Sequence, residues 1–167
     1  ATIAGDVSGT MTQTTGQTAV DGAATIGGLL DVSGGMVEVD QAATLSSGFD
    51  VAPGASLQID AATTLGAASF NAGTLDVNAD VLGGQEITNR GDLQLAGAVT
   101  GTLVQDLLAS ATTVVDGDAS VSGLVDIDAG SLTVNDGVTL AAGTGVEVGD
   151  GAGNGSIAVL GTLDGDL

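Results

Sequence analysis

Thr18-Ala19-Val20-Asp21-Gly22 and Thr113-Val114-Val115-Asp116-Gly117 open two stretches, 18–48 and 113–143, that align without a gap at an offset of 95 residues. Thirteen of the 31 aligned positions are identical, among them Gly28/Gly123, Leu29/Leu124, Asp31/Asp126, Thr44/Thr139, Leu45/Leu140 and Gly48/Gly143. Self-similarity at a fixed offset is the signature of a repeat architecture. Ninety-five is also five times 19, and a period of about 19 is visible inside the block.

Three columns carry that shorter period. The first is apolar-acid-apolar, as in Leu30-Asp31-Val32, Phe49-Asp50-Val51 and Val125-Asp126-Ile127, with Phe70-Asn71-Ala72 aligned to them. The second runs apolar-polar-apolar and then Asp or Asn: Val37-Glu38-Val39-Asp40, Leu57-Gln58-Ile59-Asp60, Leu75-Asp76-Val77-Asn78 and Leu132-Thr133-Val134-Asn135. The third sets a hydroxyl before an apolar residue: Thr25-Ile26, Thr44-Leu45, Thr64-Leu65, Ser120-Val121 and Thr139-Leu140. Two-residue alternation points one side of each short strand inward. Three such strands per 19 residues, with Gly, Asp and Ala at the corners, predict an all-β, three-sided parallel β-solenoid of about nine coils. Its interior is expected to hold Val, Leu, Ile, Ala and both Phe. A β-sandwich is the competing fold, but it demands neither the 95-residue self-match nor columns in fixed order. Residues 1–17 fit the pattern less well and are expected to form a cap or an irregular first coil, with 18–167 as the solenoid repeats.

Composition agrees. The 167 residues include 29 Gly, 18 Asp and 3 Glu against one Arg, with no Lys, His, Cys, Trp or Tyr, for a formal net charge of −20. An acidic disordered segment would be poor in apolar residues, whereas here 43% are hydrophobic and mean hydropathy is +0.44. Helix is disfavoured by the glycine content and the scarcity of Lys, Glu and Arg. No apolar run approaches the length of a membrane helix.

The same inventory removes most chemistry. Without His or Cys there is no catalytic triad and no zinc or haem site. Without Lys there is no P-loop or Schiff base. One cation, Arg90, is too few for nucleic acid or an anionic membrane. Carbohydrate-active solenoids need cations or aromatic platforms beside their carboxylates, so the chain is expected not to be an enzyme.

Gly73-Thr74-Leu75-Asp76-Val77 and Gly130-Ser131-Leu132-Thr133-Val134, within 19-residue coils, resemble the repetitive bacterial surface β-solenoids of the filamentous-haemagglutinin and autotransporter-passenger kind. The resemblance covers about residue 18 to the end and is periodic and compositional. It implies a secreted, right-handed triangular solenoid at the bacterial cell surface, serving as a fibre or adhesin stalk. The alternative it carries is an adhesin module that binds a host receptor or carbohydrate on a solenoid face.

Outward acids in adjacent coils would sit about 5 Å apart, a repulsion of ~0.9 kcal/mol per pair even in water. In the column Glu38, Gln58, Asp76, Gln94, amides separate the acids, moving like charges to about a Debye length. The column Asp40, Asp60, Asn78, Ala96 tapers from acid to neutral. These acids read first as solvated turn residues capping local backbone. Structural calcium is the functional alternative, since Ca²⁺ takes carboxylate and carbonyl oxygens. Its candidates are Asp116/Asp118, Asp126/Asp128, Asp164/Asp166 and the loop carrying Asp150 and Asn154, which distantly resembles one RTX calcium nonapeptide. No other cofactor is expected. Hydroxyl columns also suit an ice-binding face, but Thr alternates here with Ser and Val81 and forms no regular Thr-x-Thr array.

Unpaired strand edges at the ends of a solenoid invite stacking. The segment 160–167 keeps repeat style, and Leu163 and Leu167 at one end with Thr2 and Ile3 at the other are expected to form a head-to-tail homopolymer interface. The chain starts at Ala1 without a basic leader, the look of a processed product or an excised piece.

Overall fold

A computed structural model describes residues 1–106, 110–149 and 154–166. The described residues form strands in three parallel sheets, of nine, eight and eight strands, and contain no helix. From Gln17 onward the chain visits the sheets in strict rotation, and every strand pair joins residues one turn apart. The fold is a three-sided parallel β-solenoid.

The first sheet holds Thr2–Ile3, Gln17–Val20, Met36–Val39, Ser56–Ile59, Thr74–Val77, Asp92–Leu95, Thr112–Val115, Gly130–Val134 and Gly155–Val159. Numbering turns from these strands gives turn 1 at residues 1–16, turn 5 at 74–91, turn 6 at 92–111 and turn 9 from 155. The register Gln17↔Met36↔Ser56↔Thr74↔Asp92↔Thr112 sets steps of 19, 20, 18, 18 and 20 residues. These five turns total 95 residues, which is why the sequence matches itself at that offset. Eight turns, the first meeting the second sheet only through the Val7 bridge, are followed by two strands of a ninth. The step Ser131↔Ser156 takes 25 residues, so the chain makes slightly fewer turns than its length divided by 19. At ~4.8 Å per turn the rod is about 40 Å long.

Residues 1–17 enter the ladders directly. Thr2–Ile3 pairs with Ala19 and Val20, Val7 bridges Ile26, and Met11–Gln13 pairs with Leu30–Val32.

Inside, like stacks on like. Val20, Val39, Ile59, Val77, Leu95, Val115 and Val134 occupy one register column, each with no solvent exposure. Burying such columns drives the fold, at ~25 cal/mol per Å² of apolar surface removed from water. Close stacking also dictates glycine at particular corners. At Gly83, φ is +113° and a Cβ would strike the carbonyl oxygen of Leu65 one turn below.

Two expectations need correction. Phe49 is buried at 1%, but Phe70 faces outward, in register with Asp50 and Thr88. The inward residues of that strand are Ser69 and Asn71, both buried, so the strand reads Ser-Phe-Asn rather than Phe-Asn-Ala. The Phe70 ring is covered by the Arg90 guanidinium, 4.9 Å from its centroid. The second correction lies in the hydroxyl column. Thr25, Thr44 and Thr64 stack as expected, but Val121 sits on Ala142 and Leu140 on Ala119, a two-residue shift that keeps every side chain on its face.

Asn71 begins an internal amide ladder. Asn71 Nδ2 donates to Asn89 Oδ1 at 2.8 Å, and Asn89 Nδ2 donates to Gln105 Oε1 at 3.3 Å. Gly73 N and Gly91 N donate to the two Asn oxygens at 3.1 and 3.2 Å. Gln105 Nε2 donates to the Ala129 carbonyl at 2.8 Å, and the Thr113 hydroxyl donates to Gln105 Oε1 at 2.7 Å. All four side chains have no solvent exposure, so each bond satisfies a group whose burial otherwise costs about 1–3 kcal/mol. Asn89→Ala removes the middle rung and strips partners from Asn71, Gly91 N–H and the Thr112 carbonyl. Urea unfolding is expected to show a loss of about 3 kcal/mol.

Candidate functional site

The outward surface is built from the columns that the inward stacking leaves over. On the first sheet, Glu38, Gln58, Asp76 and Gln94 stand in direct register on successive turns. Gln17 Nε2 donates to Glu38 Oε2 at 2.6 Å. Gln58 Nε2 and Asn78 Nδ2 both donate to the Asp60 carboxylate, at 2.8 and 2.9 Å. Amides thus alternate with acids along the column and also donate to neighbouring carboxylates, so like charges are both diluted and solvated by N–H donors.

Where acid stacks on acid, the electrostatics turn unfavourable. Asp31 and Asp50 are direct register partners on another face. Partial desolvation, then the Asp31 charge, raise the Asp50 carboxyl above its ordinary value. Asp40 is raised by desolvation and by Glu38, Asp60 and Asp21. Asp76 is raised chiefly by desolvation, against an opposing hydrogen bond from Asn78.

The chain's single cation is fully committed. Arg90 Nε and Nη2 donate to the two oxygens of Asp106 at 2.6 and 2.8 Å. That fork holds the Asp106 carboxyl below its ordinary range.

The calcium candidates are dispersed. Asp118 Oδ1 accepts the Thr139 amide at 2.8 Å, as Asp6 Oδ1 accepts that of Thr25 at 2.8 Å; both cap backbone of the turn above. Asp116 belongs to the corner column through its amide, donated to the Leu95 carbonyl at 3.2 Å. Asp126 faces outward between Val104 and Glu147, and Asp128 N donates to the Gln105 carbonyl at 2.9 Å. Asp164 pairs with Ala141, while Asp166 offers its backbone carbonyl to Val146 N at 2.7 Å. Asn154 lies just before the strand Gly155–Val159, and Asp150 is outside the described residues. Among the described residues no group of three or more Asp or Glu is placed to hold a metal ion.

The ends carry the remaining candidates. Thr2 and Ile3 form one edge of the nine-stranded sheet. Leu163 lies in the strand Thr162–Asp164, which edges an eight-stranded sheet; Leu167 is outside the described residues. The last turns expose Val148 at 37%, Val159 at 41% and Leu160 at 66%, and on a flank Leu82 is exposed at 39%, against a core that is almost wholly buried. Composition alone does not single out these residues; their signal is the continuation of apolar repeat residues to the end of the chain.

No family model matches the chain, and neither a curated protein nor a solved structure matches it.

The carboxyl shifts give a signed pH dependence. Asp40, Asp50 and Asp76 hold their protons more tightly folded than unfolded, so they favour folding most below the ordinary value of 3.8 and least at neutral pH. Asp106 works the other way, its contribution fading as pH falls below that value. The melting temperature is expected to rise on acidification from pH 7 toward about pH 4 and to fall below it. Asp50→Asn should raise the melting temperature at pH 7 and flatten this profile, which a thermal-melt series reads directly.

Proposed function

We propose that the chain is a non-enzymatic structural protein of the bacterial cell surface, a segment or subunit of an extracellular β-solenoid filament whose ends take further turns, including head to tail from a second copy. The observation that carries this reading is the contrast between flanks and ends. The flanks present mostly acids, amides and hydroxyls, with Leu82 exposed at 39% among them, and their predominantly negative charge opposes lateral association of parallel rods. The ends present unpaired strand edges, and the last turns add the exposed Val148, Val159 and Leu160. Growth along the axis would bury that apolar surface and pair those edges, as each turn already does for its neighbour. The reading as a receptor- or glycan-binding adhesin has less behind it. The outward aromatic Phe70 is covered by Arg90, and the Arg90 fork is occupied by Asp106.

Sedimentation velocity and negative-stain microscopy across a concentration series test the proposal. Rods that lengthen at constant width as concentration rises, and that Leu160→Asp shortens without changing the far-UV spectrum, are expected. Single short rods at every concentration, indifferent to that substitution, would remove the head-to-tail reading.

A further inference from the structure

Turn 1 is a copy of turn 6. Aligned at an offset of 92, residues 1–13 share Ala4/Ala96, Gly5/Gly97, Val7/Val99, Gly9/Gly101, Thr10/Thr102 and Gln13/Gln105 with residues 93–105. The structure puts both members of each pair at the same station. Ile3 and Leu95 lie in strands of the nine-stranded sheet, Val7 and Val99 at the second sheet, and Met11–Gln13 and Leu103–Gln105 in the third. Even the polar plug is repeated, since the Thr18 hydroxyl donates to Gln13 Oε1 at 2.6 Å just as Thr113 donates to Gln105.

Turn 6 shows what its lower face is shaped to meet. It sits on turn 5 through Leu75↔Leu93, Val77↔Leu95, Val81↔Val99, Ile87↔Leu103 and Asn89↔Gln105. Leu95, Val99 and Leu103 are thereby buried to 0, 3 and 2% exposure, whereas their copies Ile3, Val7 and Met11 are only partly buried.

The glycines make the same point independently. A Cβ at Gly97 would strike the Ala79 carbonyl, and one at Gly101, whose φ of +142° also favours glycine, would strike that of Gln85; both oxygens belong to turn 5. At Gly5 and Gly9, the copies, a Cβ would meet nothing within 4 Å, and neither has a positive φ. Nothing within turn 1 calls for glycine there. A turn-5 backbone beneath it would.

We propose that the lower face of turn 1 is a docking surface for a solenoid turn of the turn-5 kind, one that presents apolar side chains at the places of Leu75, Val77, Val81 and Ile87 and an amide at that of Asn89. That amide would donate to Gln13 Oε1, the Gln17 carbonyl and the Thr18 hydroxyl, as Asn89 does here to Gln105, Thr112 and Thr113. The inference rests on the structural reading above and names the partner surface at one end.

The test grafts residues 74–92 directly ahead of Ala1 of the full chain, since Leu93, the copy of Ala1, follows Asp92 without a linker. The remaining turns do not depend on the graft, so the chain folds whether or not it docks. Hydrogen exchange is expected to slow by about tenfold or more at residues 1–13 and to show protection in the graft, with a higher melting temperature. Gly9→Val supplies the second arm: it should leave the ungrafted chain's melting temperature unchanged and abolish the graft's protection. A graft that exchanges as unstructured chain, a reversed-order graft that protects equally well, or protection that survives Gly9→Val would each overturn the proposal. Because the readout is within one chain, its outcome is separate from that of the concentration series.

Discussion

Parallel strands one turn apart must stack in register, and every other feature of this molecule follows from that constraint. No strand has a pairing partner in its own turn, so a turn is stable only as part of a stack. Registers such as Val37↔Leu57↔Leu75↔Leu93 carry the same residue class from turn to turn. What is favourable inside, apolar on apolar, is multiplied by the number of turns. So is anything unfavourable outside.

Amides answer two different problems that this multiplication creates. Outside, Gln58 and Asn78 interrupt columns of like charge, and with Gln17 they donate to carboxylates beside them. Inside, Asn71, Asn89 and Gln105 form a buried ladder in which each donor meets an acceptor one turn away or in the backbone of a corner. A chain with almost no cations cannot neutralise its acids by pairing. The single Arg90–Asp106 fork leaves amide interleaving as the general device.

The columns were legible in the sequence because alternation and turn length both leave marks there. Leu30-Asp31-Val32 can face only one way, and the outer column Glu38–Gln58–Asp76–Gln94 stands in the register read from spacing alone. Three features were hidden for physical reasons. Phe70 looked inward because an aromatic is normally buried and an asparagine normally is not; here Asn71 earns its burial by hydrogen bonds to Asn89 and Gly73. The two-residue shift of Leu140 left its face unchanged, and a pattern of period two is blind to such a slip. The copy at turn 1 escaped an ungapped comparison because Gln105 and Thr112 are seven residues apart where Gln13 and Gln17 are four. The candidate site was less legible than the fold. Of the Asp residues near one another in sequence, Asp118 caps the backbone of the next turn while Asp126 and Asp164 lie in strands, whereas the end surfaces emerge only once it is known which strands lack a neighbour.

Form therefore points to use: a rod with mostly polar, predominantly negative flanks and ends made of unfinished sheet. The absence of Cys makes the underlying geometry directly measurable, because two introduced cysteines carry spin labels at unique positions. Glu38 and Thr133 occupy the same outward column five strands apart. With both residues changed to Cys and spin-labelled, pulsed dipolar spectroscopy should return one narrow distance near 24 Å, five steps of ~4.8 Å. A distance well away from that value, or a broad distribution, would contradict the in-register stack.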